Sequence, residues 1–234
     1  MRVRQTSARP ANASRRPQHL GLFAAGGGVF CAMAAVIAYL LWPTWQAGAF
    51  TGPKQLPITI GGMLFNVPSD AIRMRLQRRS GAQDRIDLAF AYPSLSPPEP
   101  PKHVTADTVE ETRVVVDRLL LSIALRNDDL SPDDRIRTIY PRYLDQRAEQ
   151  RDGLIARSFR NDTPYHGEDL FVGGNGAFIA RCTRDDLTPG ICLSQRRVEN
   201  VDMTFRFPRV WLSEWRDVAD AMNRLVARLR GKAA

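Results

Sequence analysis

Histidine and cysteine are scarce in this chain of 234 residues, with three of each. That scarcity removes most side-chain catalytic and metal centres from consideration. His19, His103 and His166 stand far apart, and no His-x-x-x-His pair offers zinc two ligands on one helix face. No serine occupies the Gly-x-Ser-x-Gly turn of a nucleophile elbow. Gly61-Gly62 is followed by no helix start, which excludes a phosphate-cradling loop there. Acidic residues are missing from residues 1–19, and charge of either sign is missing from Leu20 through Pro53.

What fills that uncharged gap organises the chain. Leu20 to Trp42 carries no charged or amide side chain. A helix needs roughly 20 apolar residues to cross a hydrocarbon core about 30 Å thick, so this run is long enough to span a bilayer. The formal net charge of +8 divides unevenly around it: Arg2, Arg4, Arg9, Arg15 and Arg16 give the tail +5, which leaves +3 for everything after it. So balanced a remainder carries no electrostatic footprint for nucleic acid. Arginines before a first apolar span hold that end in the cytoplasm, so the tail is expected inside and the rest of the chain outside. The same arginines attract anionic lipid head groups.

A cleaved signal peptide is the alternative. Ala47-Gly48-Ala49 would serve as the small-x-small site, with cleavage after Ala49. The apolar run exceeds the 7–15 residues usual for such peptides and ends in Trp42-Pro43-Thr44-Trp45, the boundary residues of a retained span. Ser14-Arg15-Arg16 lacks the apolar residues that a twin-arginine signal requires next. Within the run, Ala24, Gly28 and Ala32 form a small-xxx-small stripe through which two copies could pair as a homodimer.

Of the cysteines, Cys31 reads as an apolar filler within the span. Cys182 and Cys192 flank the polar segment Thr-Arg-Asp-Asp-Leu-Thr-Pro-Gly-Ile, which lets them face each other across a hairpin and oxidise in an exported domain. A zinc site would need further ligands that the neighbourhood lacks, and no cofactor is expected.

Beyond a Gly- and Pro-bearing connector, Ile58-Thr59-Ile60, Gly61-Gly62 and Met63 to Val67 predict a β-hairpin. Arg73, Arg75, Arg78 and Arg79 form a local cationic patch, a candidate interaction surface whose alternative is a solvated face. Arg85 to Tyr92 alternates as a half-buried strand. Pro93 to Pro101 reads as a stiff surface loop. Arg113 to Arg126 predicts a central strand, although Val109, Val116, Leu120 and Ile123 also fit a helical stripe. Ser131-Pro132-Asp133-Asp134 predicts a helix start, with Ile136, Ile139, Tyr140, Tyr143 and Leu144 as its buried stripe and Pro141 dividing it. The alternate oxygens of Asn127, Asp129, Ser131 and Asp133 resemble a calcium loop, but Pro132 stands where such a loop needs glycine. Leu154 to Phe159, Asp169 to Val172, Ala177 to Thr183, Ile191 to Val198 and Val201 to Phe207 predict five strands separated by turns. Trp211 to Leu229 then repeats apolar residues at three and four, an amphipathic helix.

The chain is therefore expected to be α+β. A single transmembrane helix should precede one exported domain with an antiparallel sheet, a disulfide-linked hairpin and a C-terminal amphipathic helix packed on the sheet. The expected parts are a basic cytoplasmic tail (1–19), the transmembrane helix (20–42), a connector (43–56) and a periplasmic domain (57–230), set in a bacterial inner membrane. Its partners would be the bilayer through residues 20–42 and a protein of the envelope. An interaction module accessory to an envelope complex fits the lack of catalytic motifs. The alternative is a tethered hydrolase using His166 as base, with Glu168 and Asp169 beside it as orienting carboxylates.

Overall fold

The computed structural model describes residues 32–33, 35–37, 54–99, 117–127, 129–186 and 188–231. The basic tail, His19, Cys31, most of the Leu20–Trp42 run, Ala47-Gly48-Ala49 and His103 lie outside them. Residues 32–33 and 35–37, within the apolar run, are helical. Among the described residues no helix is long and apolar enough to cross a membrane.

The hairpin forms where glycine permits it. β1 (Gln55–Ile60) pairs antiparallel with β2 (Met63–Pro68) through the Gly61-Gly62 turn. Gly61 has φ +57°, and a Cβ there would stand 2.7 Å from the carbonyl oxygen of Asn200, so both the turn and the close approach demand glycine. β3 (Gly81–Ala82) adds to the other side of β1 in parallel, a departure from the purely antiparallel expectation.

The remaining strands make one antiparallel sheet. They are β4 (Arg85–Ala91), β5 (Arg118–Leu125), β6 (Glu149–Arg151), β7 (Leu154–Ser158), β8 (Glu168–Gly173), β9 (Phe178–Thr183), β10 (Ile191–Val198) and β11 (Val201–Pro208). Their order is β4-β5-β11-β10-β9-β8-β7-β6, so β6 through β11 form a continuous meander that β5 and β4 extend. The alternation that predicted a strand over 113–126 is realised from Arg118: Leu119, Leu121 and Ile123 are buried on one face while Leu120 points to the other. The competing helical stripe needed Leu120 and Ile123 on one side, and strand geometry separates them.

One face of this sheet carries the principal core. Ile86, Leu88 and Phe90 of β4, Val201, Met203, Phe205 and Phe207 of β11, and Phe178 and Ala180 of β9 belong to a single buried cluster with Ile58, Ile60 and Phe65 of the small sheet. The C-terminal helix (Trp215–Arg230) closes it with Trp215, Val218, Ala221, Met222, Leu225 and Leu229. Residues 209–214 form a tighter 3₁₀ turn before it, and Trp211 there stacks on Tyr92 with ring centroids 4.2 Å apart. Asn66 Nδ2 donates to the Gly231 carbonyl at 2.7 Å, tying the helix end to β2. At the other end Trp215 Nε1 donates to Asp152 O at 3.0 Å. Gly173 makes room for that indole, since a Cβ would meet Leu154 Cδ2 at 2.5 Å and Trp215 at 3.1 Å.

The proline-rich segment, where described, is not a detached surface loop. Leu95 is buried in the core, its N–H donates to Ala91 O at 2.7 Å, and its carbonyl accepts from Arg228 Nη1 at 2.9 Å. A single buried leucine between prolines has no periodic partner in sequence to signal its burial.

The opposite face carries a smaller aromatic cluster over β8 and β9. Tyr140, Leu144, Phe159 and Leu170 form it, with Ile136, Ile139, Tyr143, Tyr165, Val172 and Ile179 packed around them. The segment 131–144 supplies the lid as three short pieces rather than one helix. Ser131 caps an α turn (Pro132–Asp134) by accepting from Asp134 N–H at 3.1 Å; a wider π turn spans Arg135–Ile139 and a 3₁₀ turn spans Tyr140–Arg142. Pro141 has no N–H to continue an α ladder, so the turns change pitch there. The capping role also takes up Ser131, one of the four oxygens with calcium-loop spacing.

Candidate functional site

Successive residues of a strand point to opposite faces, and β8 applies that rule to the two carboxylates nominated with His166. Glu168 projects to the aromatic face and Asp169 to the core face. His166 lies exposed in the turn before β8, its N–H donating to Thr163 O at 3.1 Å. The three residues are neighbours in sequence and do not converge on one point.

Asp169 is the hub of a buried network at the margin of the core. Its Oδ2 accepts from Arg209 Nη2 at 2.6 Å, and its Oδ1 accepts from Arg184 Nε at 3.0 Å and Ser158 Oγ at 2.8 Å. Burial alone would raise this carboxyl, but the hydrogen bonds from Arg209, Arg184 and Ser158 outweigh it and hold it below the ordinary carboxylate range. Arg209 also donates to Thr183 O at 3.1 Å and lies over the Phe171 ring, 5.0 Å from its centroid. This arrangement locks the ends of β7, β8, β9 and β11 together. Three of the roughly four acceptor positions of this carboxylate are taken by the network.

Glu168 meets a different environment. Its Oε2 lies 3.1 Å from Arg181 Nε without the alignment of a hydrogen bond, so charge alone joins these two buried atoms. Arg181 is held over the rings of Tyr165 and Tyr140, at 4.9 and 5.9 Å. Burial pushes the Glu168 carboxyl up, and the attraction of Arg181, then of His166, only partly opposes that. A small hollow beside this pair is lined by Ile136, Tyr140, Leu170, Ile179, Arg181 and Gln195, with about 20 Å³ inside, room for a water molecule and little more. A wider hollow of about 230 Å³ opens on the other side of the sheet between Arg151, Asp152, Asp185, Arg209, Val210 and Ser213. His166 lines neither.

Cys182 and Cys192 are bonded as a disulfide, both fully buried and directly opposite each other in the β9–β10 register. The core therefore contains the cystine that the spacing predicted. No protein-family model matches the sequence, and no curated relative matches it. Among solved structures, the chain is similar to an immunity protein of the Stenotrophomonas maltophilia type IV secretion system, with a TM-score of 0.52 and 14% identity over 76% of this chain and 94% of that one. A weaker likeness, TM-score 0.40 and 11% identity over 74% of this chain and 92% of the other, is to the Neisseria meningitidis iron-regulated outer membrane lipoprotein FrpD. At such identity the first likeness is one of fold.

The cationic patch is divided by the structure. Arg73, Arg75 and Arg79 are exposed, whereas Arg78 folds back, its Nε and Nη2 donating to the Ile72 carbonyl at 3.2 and 3.0 Å. Arg78 is thus a brace of the loop, and the patch proper holds three arginines. Sequence reasoning also missed Arg181, Arg184 and Arg209 as partners of the β8 carboxylates. Arg209 lies 40 positions from Asp169, and only the strand order reveals that they meet.

Proposed function

We propose that this protein is a membrane-tethered accessory of the bacterial cell envelope that works by binding a partner protein. Its N-terminal tail lies in the cytoplasm, Leu20–Trp42 is its retained anchor, and residues 57–230 act in the periplasm. The observation that carries the exported placement is the buried Cys182–Cys192 disulfide at the centre of the β9–β10 pairing, because such bridges persist in oxidising compartments. Met33, Val36 and Ile37, in the helical part of the apolar run, are each more than half exposed, as suits side chains meant for lipid. Binding is favoured over hydrolysis because Glu168 and Asp169 face opposite sides of β8 and are each engaged by arginine. The fold shared with an immunity protein of a secretion system supports the same reading.

The test is made in native cells. External protease should digest the domain in intact spheroplasts while the tail stays protected, and the full chain should sediment with membranes. Detergent extraction under mild conditions should then retain a stoichiometric envelope protein. A domain protected from protease until lysis would overturn the topology. A chain that stays alone at every stage while cleaving envelope material would overturn the binding role.

A further inference from the structure

The loop between β2 and β3 exposes apolar side chains beside its arginines. Leu76 is 87% exposed and Met74 51% exposed; they alternate with Arg73 and Arg75, and Arg79 follows three positions after Leu76. Large exposed apolar side chains scattered singly need no explanation, but a methionine and a leucine on one basic turn form an amphiphilic tip. Looseness does not account for it. Arg73 N–H donates to Asp87 O at 2.9 Å, Gln77 bonds the Asp87 side chain and backbone at 3.2 and 2.9 Å, and Gln83 Nε2 donates to the carbonyls of Gln77 and Arg79 at 3.1 and 2.7 Å. Arg78 braces the same turn from beneath. The polar groups face inward to fix the loop while Met74 and Leu76 stay outside.

The neighbouring acids leave the patch positive. Asp87 is held by Arg85 at 2.9 Å, and the ion pairs among the described residues use none of Arg73, Arg75 and Arg79. Asp70, before the turn, and Asp84, after it, are exposed carboxylates nearby in sequence, and neither is ion-paired to Arg73, Arg75 or Arg79, so three arginines face two acids. The loop also starts where the chain emerges from its connector, since Ser69 N–H donates to Lys54 O at 3.0 Å. Eleven residues separate Lys54 from Trp42, a leash of at most about 40 Å when fully extended.

We infer that the tip formed by Arg73, Met74, Arg75, Leu76 and Arg79 docks on an anionic bilayer surface, the arginines on lipid phosphates and the two apolar side chains in the head-group boundary. A second attachment beside the anchor would fix which face of the domain is turned away from the membrane toward a partner. This inference deepens the tethered reading and depends on it for its setting, but docking itself can be measured separately.

The experiment uses the full chain with Cys31→Ser and Leu76→Cys, labelled at position 76 with a polarity-sensitive dye. Vesicles of phosphatidylcholine alone are compared with vesicles containing phosphatidylglycerol, and flotation is recorded in parallel. The dye should shift to the blue only with phosphatidylglycerol, and high salt should reverse the shift. Replacing each arginine by glutamine should reduce the docked population about fivefold, and Arg73/Arg75/Arg79→Gln on the order of a hundredfold. Arg78 is left intact because it holds the loop. A dye that stays water-exposed on phosphatidylglycerol vesicles overturns the inference, whether or not the chain floats. A shift produced by polyglutamate and not by those vesicles overturns it too, in favour of an acidic protein. Flotation with phosphatidylglycerol vesicles that disappears in high salt together with the blue shift would sink the anchor and leave the docking surface standing.

Discussion

Glu168 and Asp169 are adjacent in the chain and occupy opposite faces of β8, and the two faces treat a buried carboxylate differently. On the core face Asp169 receives three hydrogen bonds, and its charge is stabilised despite burial. On the aromatic face Glu168 has one misaligned arginine, and burial prevails. The contrast shows that one residue of register decides whether an acid becomes a structural clamp or a strained ion. It also shows why a run of polar residues in sequence is a poor guide to a shared site.

The predictions that sharpen this contrast run from the core outward. Trp215→Ala should be the most damaging, costing about 3–5 kcal/mol in a urea titration, because it removes the indole that Gly173 accommodates and the bond to Asp152 O. Asp169→Asn should cost about 3 kcal/mol, since the largely covered Arg209 loses its counter-charge and the exposed Arg184 its partner. Replacing Cys182 and Cys192 by alanine should cost about 2–3 kcal/mol by freeing the unfolded chain across their loop. Glu168→Gln should change stability by less than about 1 kcal/mol, as the carboxylate it removes gains little from its arginine.

Acid titration separates the two faces by sign. Asp169 is held low, so its stabilisation is complete above the ordinary carboxylate pKa and is lost as pH falls through its folded value. Glu168 is raised, so its contribution is fully present below the ordinary value and is lost as pH rises through its folded value. Stability of Asp169→Asn should therefore fall less on acidification than that of the parent, and stability of Glu168→Gln should fall more steeply. Parallel curves for all three proteins would contradict the assignment.

The sheet was largely legible because alternation is a local signal. The strand predicted over Ile191 to Val198 coincides with β10, that over Val201 to Phe207 extends by one residue, and the Gly61-Gly62 turn announces its own geometry. The helix stripe expected from Trp211 to Leu229 is realised from Trp215, because residues 209–214 form a 3₁₀ turn; within the helix Ala221 is buried and Ala219 only partly covered. Contacts between distant elements were not legible. Arg209 reaches Asp169, Arg228 reaches the Leu95 carbonyl, and Arg181 finds Tyr140, each through the strand order or a packed segment. The basic patch was visible as four arginines, but which one turned inward depended on the Ile72 carbonyl, a backbone group with no signature in the side-chain sequence.

The proposed exported, oxidised domain is tested most directly by the redox state of its cysteines in the native compartment. Cells are quenched in acid, free thiols are alkylated, and the full chain is digested without reductant for mass spectrometry. The prediction is a peptide pair linked through Cys182 and Cys192, with Cys31 alkylated. Alkylated Cys182 and Cys192 in freshly quenched cells would contradict it.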